Sequence, residues 1–448
     1  MTPSARIQAA IELWDKIWSA GIPMDSMTGD YFRVRRYIGS SDRREIAARV
    51  YSMMRSYARV TWWLQKAHAV DTPRTRVIAD LSLREEKPKV FVTDLFPGGQ
   101  HSAEKLDEME LRALDTFVGQ KLDHPDMPIE ARVECPPEAA QKLHDIFGDR
   151  FAEEMAAMID PAPLDLRVNT IKTDVEGATK SLTNDGIDVS KTNISPFGLR
   201  AENKVHLAKT KAYTAGLIEI QDEGSQLIAL LCGAQPGMQV LDACAGGAGK
   251  TLALAAQMKN KGRIVAMDTN TRRLGNGKQR IVRAGIHNVE IRPLDDEKHR
   301  KWLRRQKETF DVVLVDAPCS SSGTWRRNPD SRWRGHGQEV DEIVKLQTEI
   351  LGRVEKCVKK GGKLVYATCS LFPEENENQV NAFLSSHPDF EIVPIDQAWK
   401  EAGFSGGSPA KGKMMRLSPL QSGTDGFFAA VMRRKGTPAP KHVDNNED

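Results

Sequence analysis

Two runs in this 448-residue chain end in a cysteine next to groups that could activate it. Val315-Asp316-Ala317-Pro318-Cys319-Ser320 and Tyr366-Ala367-Thr368-Cys369-Ser370 each close an apolar, β-branched stretch, so both thiols are expected at strand ends. A lone cysteine reads first as a small buried hydrophobe, which is the reading for Cys232 and Cys357 on their helices. A pair at neighbouring strand ends, one beside an aspartate, suits nucleophilic chemistry instead. Carbon 5 of a pyrimidine is too weak a nucleophile to attack a methyl donor unaided; a thiolate adding to carbon 6 turns the ring into an enamine and activates it. The thiol ionises near neutrality when a cation or a helix N-terminus lies close, and Lys250 is the candidate cation. A carboxyl group such as Asp316 would protonate or hydrogen-bond ring nitrogen 3 as charge gathers there.

A second chemical signal is the turn Asp242-Ala-Cys-Ala-Gly-Gly-Ala-Gly-Lys-Thr251. Gly246, Gly247 and Gly249 let the backbone approach a ligand closely before a helix begins. The Gly249-Lys250-Thr251 ending imitates a triphosphate-binding P-loop, with Val312 to Asp316 as its partner strand, but the first glycine of that motif would fall on Cys244. The other reading takes Asp268, at the end of the next strand, as a ribose-binding acid and Asp295, after the third strand, as acceptor for an adenine amino group. Together the turn and the two acids point to S-adenosylmethionine; singly, Asp268 also reads as a helix N-cap and Asp295 as a loop acid.

The elements that must position these residues form an α/β pattern. Gln239 to Asp242, Arg263 to Asp268, Val289 to Arg292, Phe310 to Asp316 and Gly362 to Thr368 are five expected strands with helices between them, hence a largely parallel, Rossmann-like sheet. Met414 to Leu417 and Phe427 to Met432 would add an antiparallel edge and bring the sheet to seven strands. Before this, residues 131–215 read as a small α+β domain, with strands at Leu164 to Val168 and Val205 to Leu207 and a helix at Val175 to Asn184. Residues 1–130 read as an all-helical module with a linker near Pro125 and Pro128, residues 216–435 as the sheet domain, and 436–448 as a disordered tail.

Composition sets the class. Lys+Arg 64 against Asp+Glu 61, with 40% hydrophobic residues, describes a soluble globular chain; at roughly 150 residues per domain it holds about three. Six cysteines without Cys-x-x-Cys spacing make neither a disulfide scaffold nor a zinc site, so a reducing, cytoplasmic setting without metal is expected. No signal peptide or membrane span is legible, and nothing demands more than a monomer. Arg33, Arg35, Arg36, Arg43, Arg44, Arg49, Arg55 and Arg59, against Asp42 and Glu45, suit an RNA or DNA backbone, or a solvated helix face. Arg326, Arg327, Arg332 and Arg334, interleaved with Trp325 and Trp333, combine phosphate contacts with stacking faces. The run His299 to Lys307 reads as a solvated helix face.

The glycine turn, Asp316-Ala-Pro-Cys-Ser-Ser-Ser-Gly323 with Thr324 to Arg327, Ala367-Thr-Cys-Ser-Leu-Phe-Pro-Glu-Glu-Asn376, Asp425-Gly-Phe-Phe428 and Gln221-Asp-Glu-Gly-Ser-Gln226 resemble, in order, the motifs of the RsmB/Sun (NSUN-type) RNA 5-methylcytosine methyltransferases. The likeness covers Pro136 to Arg434, and the basic first module looks like the NusB-type helical domain of bacterial members. It implies methyl transfer from S-adenosylmethionine to carbon 5 of a cytosine in 16S ribosomal RNA, with transfer RNA as the runner-up and a non-catalytic RNA-binding assembly factor as the reading from another class. Cys369 would be the nucleophile and Cys319 would help release the product, whereas a DNA-type enzyme would attack with Cys319. Lys250 and Asp316 would contact the cytosine. Ala243, Cys244, Ala245, Gly246, Gly247, Ala248, Gly249 and Lys250, with Asp268, Arg273, Asp295 and Asp316, would surround the cofactor. The small domain, with Arg167 and Asn169 at a strand end, looks like the family's RNA-docking domain, or is purely structural; Arg326 and Arg327 would join them on RNA. The chain departs from the family in the turn, where Gly247-Ala248 stands for the usual Pro-Gly.

Overall fold

In the computed structural model residues 1–202, 206–334 and 339–437 are described. The chain divides into two compact units, Met1–Pro161 with Thr324–Gly337, and Ala162–Gly323 with Gln338–Asp448.

The first unit is helical because its apolar residues repeat at helical spacing and its helix starts are capped. Thr2 accepts the amide of Ala5 ahead of Pro3–Ser19, and Ile7, Trp14 and Ile17 bury the face this helix presents. Met24–Val34, Ser40–Arg55 and Tyr57–Lys66 follow, with Ile46, Val50, Met53 and Met54 in the same core. Further along, Thr72 with Thr75 and Asp107 with Glu110 build capping boxes for Pro73–Ala79 and Glu108–Phe117, in keeping with the all-helical reading.

Much of the arginine cluster turns inward. Arg49 bonds Asp80 at 2.8 Å, Arg55 the Ile159 carbonyl at 2.9 Å, and Arg59 the buried Glu134 at 2.8 Å; Arg33, Arg36 and Arg44 stay exposed. Several residues after the Pro-Cys-Ser turn also belong to this interior, while Arg327 is half-buried. Trp325, Arg326 and Arg332 are buried, and Trp333 stacks at 4.9 Å on Tyr57 while donating to the Met54 carbonyl at 3.3 Å. Arg332 donates to the Met158 carbonyl at 2.9 Å, and Arg334 to the carbonyls of Ala20 and Ile22. Asp330 accepts the Met24 amide at 2.9 Å. These carbonyls lie at or just beyond helix C-termini, where unpaired acceptors and the negative end of the dipole take guanidinium groups.

The second unit holds two sheets. β1 (Leu164–Val168), β2 (Val189–Lys191), β3 (Gly198–Ala201) and β4 (Ile218–Ile220) form an antiparallel sheet in the order β2-β3-β1-β4, with the helix Val175–Asn184 packed on it. Of the strand expected at 205–207, Val205 lies outside the described residues and Leu207 sits in a 3-10 turn.

The large sheet contains β5 (Gln239–Asp242), β6 (Arg263–Asp268), β7 (Val289–Pro293), β8 (Phe310–Asp316), β9 (Val358–Thr368), β10 (Phe390–Val393), β11 (Met414–Leu417) and β12 (Phe427–Arg434). Its order is β10-β12-β9-β8-β5-β6-β7 with β11 on β12; β5 to β9 pair in parallel and β10 to β12 antiparallel. It is a Rossmann-like sheet of eight strands, one more than expected, the addition being β10. The expected tail falls largely at 438–448, outside the described residues. No helix among the described residues is long and apolar enough to cross a membrane.

Trp333→Ala should destabilise the helical unit by up to about 3–5 kcal/mol, the range for truncating a core aromatic, read as a lower midpoint in urea denaturation followed by circular dichroism.

Candidate active site

Register brings the two cysteines together. In the parallel pair β8–β9, Asp316 stands opposite Ala367, so the turns that follow leave the sheet side by side. Cys319 Sγ and Cys369 Sγ come within 3.3 Å, both half-buried, and Ser321 Oγ lies 3.6 Å from Cys369. The Cys319 thiol, donating to the Cys369 sulfur, holds Cys369 below the ordinary thiol range against the opposing effect of burial, and Lys250 assists. Cys319 is pushed the other way, first by that same hydrogen bond, then by burial and by the negative charges of Cys369 and Glu375. The two thiols are within hydrogen-bond reach of each other, and the opposed shifts favour ionisation at Cys369 over Cys319.

Lys250 Nζ donates to Asp316 Oδ2 at 2.7 Å. Burial opposes the ammonium, yet Asp316 outweighs it by charge and hydrogen bond and raises the Lys250 pKa. Behind the pair, Thr251 donates to Asp242 Oδ2 at 2.7 Å, while Asp242 Oδ1 is buried and has no partner among the described residues. Burial pushes this carboxyl up to about 7.

The glycine turn is shaped by its neighbours. Gly246 has φ +52 and packs against Arg273, whose guanidinium would lie 3.0 Å from any Cβ there. Its amide donates to Asp268 Oδ2 at 2.7 Å, and Asp268 Oδ1 accepts the amide of Asn270 at 2.7 Å. Ala248 is left-handed at φ 64, a conformation that costs a non-glycine residue roughly 1–2 kcal/mol. This is the position where the chain departs from Pro-Gly, and Gly277 makes room for the extra methyl: a Cβ on Gly277 would lie 3.0 Å from that of Ala248. Arg280 donates to the Gly247 carbonyl at 2.7 Å and bonds Glu219 of β4, tying the small sheet to the turn.

The residues singled out from sequence therefore divide. Ala243 to Lys250, Asp268 and Asp316 lie at the carboxyl ends of β5, β6 and β8, the edge where parallel sheets bind ligands, and exposed Asp295 follows β7 on that edge. Arg167 and Asn169 are not on a surface. Both are buried, with Arg167 Nε on Gln221 Oε1 at 2.7 Å and Asn169 Nδ2 on the carbonyls of Gly216 and Ala284 at 2.8 and 2.9 Å.

Among curated proteins, the probable ribosomal RNA small subunit methyltransferase B of Bacillus subtilis (strain 168) is 31% identical over 316 residues, covering 70% of this chain and 70% of its own length. The chain belongs to the RsmB/F methyltransferase family. The family model described as 16S rRNA methyltransferase RsmB/F matches residues 229–433, and the RsmF/B-like ferredoxin-like domain matches 139–208. The crystal structure of PH0851 is 28% identical with a TM-score of 0.76 and covers 97% of this chain and 99% of that one. A methyltransferase homolog protein from Pyrococcus horikoshii is 30% identical, TM-score 0.57, over 69% of this chain and 98% of that one.

The RsmB/F motif strings contain residues whose part in the site is invisible in sequence. Glu375, fully buried, accepts the Ser320 amide at 2.8 Å, the Ser370 hydroxyl at 2.6 Å and Gln347 Nε2 at 3.1 Å. The signal for it was the Pro-Glu-Glu-Asn string itself, in which neither glutamate stands out. Among the described residues no group of three or more His, Cys, Asp or Glu could hold a metal ion.

Because Asp242 is protonated in the fold where the unfolded chain has already ionised, stability should fall as pH rises from about 4 to 7, by at most about 1.4 kcal/mol per unit. Asp242→Asn should flatten that slope in urea melts across the same window.

Proposed function

We propose that the protein methylates carbon 5 of a cytosine in 16S ribosomal RNA, using S-adenosylmethionine, through a covalent adduct between Cys369 and carbon 6. The observation that carries this reading is the pair of thiols 3.3 Å apart with opposed pKa shifts beside the Lys250–Asp316 pair. Membership in the RsmB/F family and the relative's name support the RNA substrate.

The donor set suits a cationic nucleoside. Asp268 and Asp316 bring negative charge to the edge that carries the glycine turn against the one charge of Lys250, and Asp242 Oδ1 is buried without a partner among the described residues. When bound, S-adenosylmethionine supplies the electrophilic methyl group. Asp268 and Asp295 would hold its ribose and adenine, with the turn's backbone and Arg273 closing on the rest.

The chain's own residues do the remaining work. Cys369 as thiolate adds to carbon 6, and the ring's π electrons move toward carbon 5 and the carbonyl-nitrogen system. Asp316, kept in place by Lys250, takes up a proton as the cytosine binds and donates it to ring nitrogen 3 while that charge develops. Carbon 5, activated in this way, takes the methyl group; transfer of the carbon 5 proton to water then lets the carbon–sulfur bond break and returns the thiolate, a release in which Cys319 assists. The cytosine must be single-stranded or flipped out to reach these groups.

The test is a denaturing gel of Cys319→Ala protein with S-adenosylmethionine and 16S ribosomal RNA. The single variant should carry a covalent RNA adduct, and Cys319→Ala/Cys369→Ala should carry none. An adduct in neither, while wild-type protein methylates the RNA, would assign the nucleophile elsewhere.

A further inference from the structure

The two thiols sit on separate turns, and something must hold those turns in one arrangement while distinguishing two chemically identical groups 3.3 Å apart. Glu375 touches both turns. Its Oε2 accepts the amide of Ser320, the residue after Cys319, and its Oε1 accepts the hydroxyl of Ser370, the residue after Cys369. Gln347 braces the same Oε2 at 3.1 Å and donates at 3.0 Å to the carbonyl of Pro318, the residue before Cys319.

Around the carboxylate the hydroxyls of Ser320, Ser322 and Ser370 lie 3.1 to 3.2 Å from one another. Behind it, Tyr366 Oη donates to the Glu375 carbonyl at 2.6 Å, and Asn376 takes Thr368 Oγ1 at 2.5 Å while donating to the Ser370 carbonyl at 2.8 Å. A buried carboxylate with three donors is fixed in position and is the strongest kind of polar anchor a loop pair can have. Two of its three donors hold the Cys319 turn, the Ser320 amide and the Gln347 amide that also bonds the Pro318 carbonyl, and its charge raises that thiol, whereas Lys250 lowers Cys369. The other titratable groups near the thiols are Asp316, which opposes Cys369 ionisation, and Tyr366, with Asp242 behind Lys250.

We propose that Glu375 is a positioning residue for both cysteines: it clamps the turn after β8 to the turn after β9, and its fixed negative charge makes Cys319 the protonated member of the pair and Cys369 the ionised one. The inference rests on the reading of Cys369 as nucleophile and adds what selects it over Cys319.

Alkylation by iodoacetamide, resolved by peptide mass spectrometry on RNA-free full-length protein from pH 5 to 9, reads the selection directly. In wild-type protein Cys369 should react at least about 10-fold faster than Cys319 near pH 7, as one unit of thiol pKa difference requires. Glu375→Gln keeps the shape and removes the charge; it should bring the two rates within about threefold, with unchanged circular dichroism and unchanged binding of S-adenosylmethionine, as expected once Cys319 ionises more easily. A wild-type ratio favouring Cys369 that survives Glu375→Gln overturns the role given to Glu375 and leaves the nucleophile assignment standing. A wild-type ratio favouring Cys319 overturns the assignment of Cys369 itself. Should Glu375→Gln fail to fold, Ser370→Ala removes one strut and keeps the charge; a lowered ratio supports the clamp, and an unchanged one sinks it.

Discussion

The site depends on one pairing, that of β8 with β9 in parallel and in a single register. Asp316 opposite Ala367 sets where each strand stops, and from there only a few residues of turn separate each strand end from its sulfur. In a strand pair a slip of one residue would turn every side chain to the other face. The slip is prevented by the interior: Val313, Val315, Leu364 and Tyr366 fill one face and Val312, Leu314, Val365 and Ala367 the other, all buried. The chemistry is thus located by hydrophobic packing that takes no part in it.

Charge in the crevice is managed by opposition. Lys250 is buried with Asp316, a placement in which either partner alone would carry a heavy desolvation cost. Asp242 behind them avoids that cost by keeping its proton, and Glu375 meets three donors instead of a cation. The same rule governs the helical unit, where Arg332 and Arg334 sit on carbonyls at helix ends.

What the sequence revealed follows from how each element earns its burial. β5, β6, β8 and β9 lie inside the sheet and are covered on both faces, so they read as apolar runs and were legible, as was the turn after each, while the edge strand β7 showed itself by alternation. β4 and β10 are only three and four residues, Ile-Glu-Ile and Phe-Glu-Ile-Val, too short for period two to stand out, and tertiary pairing makes them strands. The cysteines, Lys250 and Asp316 announced themselves by residue type at strand ends. Glu375 did not, because a surface glutamate and a buried anchor have the same letter and only the donors from Ser320, Gln347 and Ser370 tell them apart. Arginines beside tryptophans at 325–334 read as a nucleic-acid surface for the converse reason: interior guanidinium groups need carbonyl acceptors that come from distant parts of the chain.

That last segment has a consequence for how the protein is made. The helical unit is discontinuous, since Trp325, Arg332 and Trp333 complete a core whose other members all precede residue 162. On a ribosome adding about 5–20 residues per second, the first 161 residues wait on the order of 10–30 s for residues 162–323 to be synthesised before their last piece arrives. For that interval Tyr57 and the carbonyls of Ala20, Ile22, Met54 and Met158 lack the partners they have in the finished fold. Synthesis order therefore leaves an open seam in the N-terminal helices, and β8 with the turn carrying Cys319 is already made when it closes.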